Sequence, residues 1–173
     1  GMTPTAYRAG GDGEEIRYAA SNTKLGWILI AATQQGVCFA QFGNNENELI
    51  EQLRKEFPKA VLQPSKSSGS TQLQSWLFAL ETHLGTRAPR PDVPLDLRGT
   101  AFQILVWQFL LQTAPGQTVS YSSVAGGIDH PKAVRAAASA CGANRIAVLV
   151  PCHRVLRGDG SLGGYRWGTQ RKQ

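Results

Sequence analysis

Residues 120–155, SYSSVAGGIDHPKAVRAAASACGANRIAVLVPCHRV, carry the pattern on which the reading of this chain turns. Ser120 is placed as a helix N-cap before a short helix from Tyr121, the Gly126-Gly127 pair breaks that helix, and Pro131 sits in the first turn of a second helix that Gly142 closes. Two short helices across a tight turn make a helix-turn-helix candidate. The second of them surrounds one long side chain, Arg135, with Ala133, Ala136, Ala137, Ala138, Ser139 and Ala140. So little bulk suits either close packing on a neighbouring helix or a backbone pressed into the minor groove of DNA, with Arg135 reaching inward.

After this helix the apolar run IAVLV, residues 146–150, reads as a buried strand ending at Pro151. Cys152 and His153 follow. Neighbours in a straight strand face opposite ways and could not cooperate, so the pair is placed where the strand stops. A thiol shielded on one side and facing arginines on the other is expected to ionise more easily than a free cysteine of pKa about 8.5, which makes Cys152 a candidate nucleophile. Metal ligation and plain apolar packing are the alternatives. The metal reading is weak, because Cys38, Cys141 and Cys152 form no C-x-x-C pair and His83 and His130 stand alone, so neither metal nor cofactor is expected. An odd number of thiols also argues against a disulfide framework. Cys38, inside an apolar run, reads as a small buried hydrophobe.

Charge divides unevenly. Residues 1–120 hold ten Lys+Arg against ten Asp+Glu, whereas residues 121–173 hold eight against two, so the whole net charge of +6 lies in the last third. The arginines there are interleaved with Tyr165, Trp167 and the Cys-His pair, as a polyanion-binding surface beside a reactive group would be.

Upstream, EIRYAAS, GWILIAAT and GVCFAQFG read as a meander of strands. NENELIEQLRKEFP puts Leu49, Ile50, Leu53 and Phe57 on one helical face, and Pro58 stops it. QPSKSSGS is a connector, and TQLQSWLFALETHLG is a second amphipathic helix with Leu73, Leu77, Leu80 and Leu84 inside and Gly85 at its end. The proline-rich RAPRPDVPLDLRG marks a domain boundary near residue 92. Beyond it TAFQILVWQFLLQT is apolar nearly all round and is expected to be a buried helix. Three segments follow: a polar linker or expression remnant over 1–15, an amino-terminal α/β domain over 16–91 and a mainly helical domain over 92–173. No apolar run is long enough for a signal peptide or a membrane span, so a cytosolic protein away from membranes is expected.

PCHRV with GDGSLGGYRWG behind it, SY and PKAVR ahead of it and ANRIAVLVPC between them resemble the O6-alkylguanine-DNA alkyltransferases, from about residue 16 to the last residue. RGTAFQ and GYRWG are most like the carboxy-terminal domain of Ada-type adaptive-response proteins. The resemblance implies an α/β (α+β) protein in which a ribonuclease-H-like sheet-and-helix domain precedes a helical domain with a helix-turn-helix. It implies a bacterial, cytoplasmic, monomeric protein that repairs double-stranded DNA containing alkylated bases, and it allows the chain to be one module of a larger Ada-type transcriptional regulator. The implied reaction moves a methyl group irreversibly from O6-methylguanine, or from O4-methylthymine, to Cys152 after nucleotide flipping.

By the same resemblance His153 takes the thiol proton through a water, Asn144 braces the turn before the cysteine, and Tyr121 crowds the phosphate and donates a proton to the leaving purine. Arg135 fills the gap left by the flipped nucleotide, with Ala133, Ala136 and Ala140 against the groove. Val155, Tyr165, Arg166 and Trp167 line the base pocket, the last two narrowing its mouth. The family's glutamate that orients the histidine would fall about seven residues past Lys172.

Overall fold

The computed structural model describes residues 10–65, 72–86 and 88–172. Residues 1–9 of the expected linker and 66–70 of the expected connector lie outside the described residues. The chain divides into two compact units, 1–98 and 99–173.

In the first unit β1 (Glu15–Thr23), β2 (Gly26–Thr33) and β3 (Gly36–Gly43) form an antiparallel meander. Helix α1 (Glu46–Glu56) then returns the chain to β4 (Val61–Pro64), which pairs in parallel with β1, for a sheet order of β3-β2-β1-β4. The sequence reading missed β4: it is four residues long, mostly exposed and without alternation, so its signal is weak. Asn45 caps α1, its side chain accepting from Glu48 N. Leu49, Leu53 and Phe57 close over Ile16, Leu29, Ala31, Cys38 and Phe39 as one apolar cluster. Cys38 is buried there, as expected. Helix α2 (Gln72–Thr86) buries Leu73, Leu77 and Leu80 and runs one residue past Gly85.

The boundary lies later than the sequence suggested, because residues 94–96 add to the sheet edge. Val37 N donates to Pro94 O at 2.8 Å and Asp96 N to Val37 O at 2.9 Å. Gly36 permits this approach: at φ +149° a Cβ there would fall inside the Pro94 carbonyl. Asp96, buried, accepts from Thr33 Oγ1 at 2.6 Å and pairs with the Arg98 guanidinium, itself almost fully buried.

The second unit begins with α3 (Ala101–Leu111), fixed by a capping box between Thr100 and Gln103. It is less buried than its composition suggested: Val106, Trp107 and Leu110 face inward while Leu105 stays 43% exposed. A short β5 (Val119–Ser120) leads into α4 (Tyr121–Gly127), where Ser120 caps the helix by accepting from Ser123 N at 3.0 Å. Helix α5 (Val134–Gly142) packs on both α3 and α4. The Gly126-Gly127 pair closes α4, and Gly127 lets Phe109 press against the helix where a Cβ would collide. The connecting turn uses Asp129 at φ 60°, and Pro131 sits in this turn, before the helix instead of in its first turn.

Replacing Asp96 by alanine strands the Arg98 charge in the interior. The expected cost is about 3–5 kcal/mol of stability, measured by urea unfolding. A loss below about 1 kcal/mol would show that water solvates Arg98 once its partner is gone.

Candidate active site

The site is built on a turn where a strand was expected. Residues 146–150 loop back on themselves, with Leu149 N donating to Ala147 O at 2.7 Å, Val150 N to Ile146 O at 3.0 Å and Val148 at φ 67°. Five buried apolar residues in a row suit a buried strand or a buried turn equally well by pattern, and here a side chain decides. Asn144, 1% exposed, accepts from Ile146 N at 2.8 Å through Oδ1. Its amide Nδ2 donates to Ile146 O at 3.2 Å, to Val150 O at 3.2 Å and to Cys152 Sγ at 3.1 Å. Backbone groups that would have entered a ladder are satisfied locally instead.

Cys152, 4% exposed, opens a 3-10 turn, Cys152–Arg154, that continues into β6 (Val155–Leu156). Successive residues on such a turn diverge by about 120°, so the half-buried His153 is not forced to the face opposite the thiol as it would be in a strand. Strand β6 pairs in parallel with β5, and Tyr121, the residue after β5, lies near enough to Cys141 and Cys152 for their charges to act on it. Arg154 reinforces the link by donating to the carbonyls of Thr113 and Ala114 at 3.0 and 3.2 Å.

The thiol is not activated at rest. Burial pushes Cys152 up to about 11, and the Asn144 hydrogen bond and the Lys172 charge only partly offset this. The expectation of a readily ionised thiol is not met: the charge that lowers it is that of Lys172, and desolvation of the sulfur outweighs it. Cys141, on the last turn of α5, is pushed up to about 12 by burial and then by Cys152. The Tyr121 phenol is also raised, first by burial and then by the two thiols, and so keeps its proton at neutral pH. Burial likewise raises Tyr165, whose ring meets Trp167 edge-on with centroids 5.1 Å apart.

Of the residues singled out from sequence, Cys152, Asn144, Tyr121 and Tyr165 converge through these contacts and charge interactions. Val155 is buried in β6 and Trp167 is buried beside Tyr165, whereas Arg166 is exposed. Arg135 and Ala136 lie on the exposed side of α5 and Ala133 is half-exposed. Ala140 does not belong with them: it is 2% exposed, and its carbonyl accepts from Trp107 Nε1 at 2.9 Å, so it packs against α3.

Two residues were not found from sequence. Lys172 is buried, donates to Gly163 O and Gly164 O at 3.2 and 3.4 Å and stands over the Tyr121 ring; among eight cations in the last third nothing distinguished it. Gly163 is the other, since a Cβ there would come within 2.6 Å of Tyr121 Oη. Its place in a Gly-Gly pair was the available signal. Among the described residues no group of three or more His, Cys, Asp or Glu side chains could hold a metal ion.

Residues 101–173 match the family model of the 6-O-methylguanine DNA methyltransferase DNA-binding domain. The inducible methylated-DNA–protein-cysteine methyltransferase of Bacillus subtilis is 39% identical over 146 residues, 84% of this chain and 79% of that protein. This chain belongs to the methylated-DNA–protein-cysteine methyltransferase family. The bifunctional transcriptional activator and DNA repair enzyme Ada of Escherichia coli is 44% identical over 172 residues, which is 99% of this chain but 48% of that protein. The chain thus spans about half the length of that relative. Among solved structures the Mycobacterium tuberculosis O6-methylguanine methyltransferase superimposes with a TM-score of 0.72 at 30% identity, covering 91% of this chain and 88% of that one. The same organism's protein in complex with DNA matches with a TM-score of 0.68 at 33% identity, covering 90% and 88%.

Asn144→Ala removes the side-chain hydrogen bond that favours the thiolate, so the thiol pKa should rise further. Iodoacetamide labelling of Cys152, followed by mass spectrometry across pH, should climb toward about 11 in the native chain and shift to higher pH in the variant. A melting curve separates this from loss of the turn, and an unshifted profile in a folded variant would show that the amide does not stabilise the sulfur anion.

Proposed function

We propose that this chain repairs alkylated double-stranded DNA by moving the methyl group of O6-methylguanine irreversibly to its own Cys152. The observation that carries the reading is a buried thiol, hydrogen-bonded by Asn144, in the same unit as a helix-turn-helix whose exposed face is Arg135 and small residues. An acceptor so enclosed is out of reach of a stacked base and needs a flipped nucleotide.

Each residue then has a defined task. The base is turned out of the duplex, and Arg135 occupies its place while Ala133 and Ala136 allow the helix into the minor groove. His153 takes the Cys152 proton through a water. The sulfur attacks the methyl carbon, the new S–C bond replaces the O6–C bond, and the electron pair leaves with the purine. Tyr121, kept protonated by its surroundings, supplies a proton to that purine. Asn144 holds the sulfur and the turn together. Val155, Tyr165 and Trp167 enclose the base, with Arg166 at the rim.

The bond formed is a thioether, and nothing in this scheme reverses it, so one chain repairs one lesion. By the family resemblance O4-methylthymine is the second substrate. No metal or cofactor takes part, and one chain suffices. The likeness to Ada supports a cytoplasmic bacterial protein and a place for this chain within a larger transcriptional regulator; among the described residues no helix is long and apolar enough to cross a membrane.

Mixing the chain with methylated duplex should add the mass of one methyl group, mapped to Cys152. Cys152→Ala should gain none while still binding DNA, since affinity comes from phosphate contacts. Methylation of that variant at Cys141 or Cys38 would overturn the assignment.

Arg135→Ala should slow repair of duplex DNA by an amount corresponding to a few kcal/mol, and slow reaction with the free methylated base far less. Single-turnover rates on the two substrates test this. Equal slowing would move Arg135 from the duplex to the reaction centre.

A further inference from the structure

We propose that Arg157 binds the phosphodiester of the flipped nucleotide at the mouth of the Cys152 pocket. The proposal rests on the function argued above and assigns that function's substrate backbone a specific partner.

The placement comes from backbone register. Strand β6 lies beside β5 in parallel, with Val119 opposite Val155 and Ser120 opposite Leu156. Tyr121 and Arg157 are the residues that leave the two strands after this last pair, and the Arg157 charge acts on the Tyr121 phenol. The backbone at Arg157 is held by a tight turn, with Arg157 N donating to Ser161 O at 3.0 Å and Gly160 N to Arg157 O at 2.9 Å. An exposed guanidinium therefore projects from a fixed base.

One carboxylate, that of Asp159, lies near enough for the Arg157 charge to act on it. Asp159, two residues on, already accepts from Ser161 N at 2.9 Å and Ser161 Oγ at 2.6 Å. Arg17, Arg54 and Arg98 pair with Glu15, Glu51 and Asp96, whereas Arg157 forms no such ion pair among the described residues. On the inner side stand Tyr121 and the buried Lys172, and the Arg157 charge acts on both. A cation backed by a protonated phenol and a buried ammonium is the complement of an anion. When a base enters far enough to meet a buried sulfur, its phosphodiester stays outside, at the rim where Arg157 stands. A planar guanidinium matches the paired oxygens of that group better than an ammonium does.

The experiment compares the native chain with Arg157→Gln and Arg157→Lys on duplexes carrying O6-methylguanine. Binding is measured across roughly 50–200 mM salt and methyl transfer in single turnover, with melting curves for all three chains. The slope of log affinity against log salt should shrink by about 0.9 in Arg157→Gln and return to the native value in Arg157→Lys. A second duplex carries neutral methylphosphonates on either side of the lesion. There Arg157→Gln should bind and react like the native chain, because the partner has already been removed. An unchanged salt slope, or a full Arg157→Gln defect on the neutral duplex, overturns the proposal. A native chain that transfers no methyl at all overturns the underlying function, which is a different result.

Discussion

Two N–H groups of the Asn144 side chain are shared among three acceptors, the carbonyls of Ile146 and Val150 and the sulfur of Cys152. This shared amide converts an apolar run that would extend as a strand into a closed turn, and it does so at the point where α5 ends. Because Oδ1 takes Ile146 N as well, the residue satisfies both senses of local backbone demand in a place water does not reach. The thiol position is thus referenced to the end of α5. Strand β6, pairing with β5, references the other side of the same turn to Tyr121.

Enclosure of the sulfur brings a penalty that shapes the chemistry. With burial pushing Cys152 up to about 11, the thiol and not the thiolate is the form held at pH 7. A consumable nucleophile gains from such restraint, since a permanently ionised thiol would react with any electrophile that reached it. Under the proposed function, activation is coupled to arrival of the base: proton removal by His153 would become productive only when a methyl carbon is in place. The Asn144 bond and the Lys172 charge lower the sulfur's pKa without overcoming burial, so they assist the anion when it forms and do not create it beforehand.

The parts legible in the sequence were those with a strong local period or a strong cap. GWILIAAT and GVCFAQFG became strands with the boundaries their composition marked, and Ser120 and Gly142 delimit helices as their chemistry directs. Segments governed by tertiary partners were harder to read. Residues 94–96 look like a linker until Gly36 lets them dock on Val37. Residues 146–150 carry a strand's composition but obey Asn144. At the site, Cys152 stood out through its Pro-Cys-His setting, and the roles of Tyr121, Asn144 and Arg135 came from family resemblance rather than from spacing. The direction of the thiol's pKa shift was misjudged because arginines are visible in a sequence and desolvation is not. Lys172 and Gly163 matter through the Tyr121 ring, a contact that no pattern along the chain encodes.

The alanines of α5 show how one composition serves two faces. Small residues allow close packing and also allow entry to a groove, and the helix does both by dividing them. Ala137 and Ala140 are buried, and the Ala140 carbonyl is clamped by Trp107 Nε1. Arg135 and Ala136 lie outward. A helix anchored on its inner side by a buried indole hydrogen bond resists rolling when its outer side is loaded. At its end the helix leads through Ala143 into Asn144, where it meets the turn that holds the sulfur. The face that would push on DNA and the group that would receive the methyl are in this way parts of one rigid element, joined through a single asparagine.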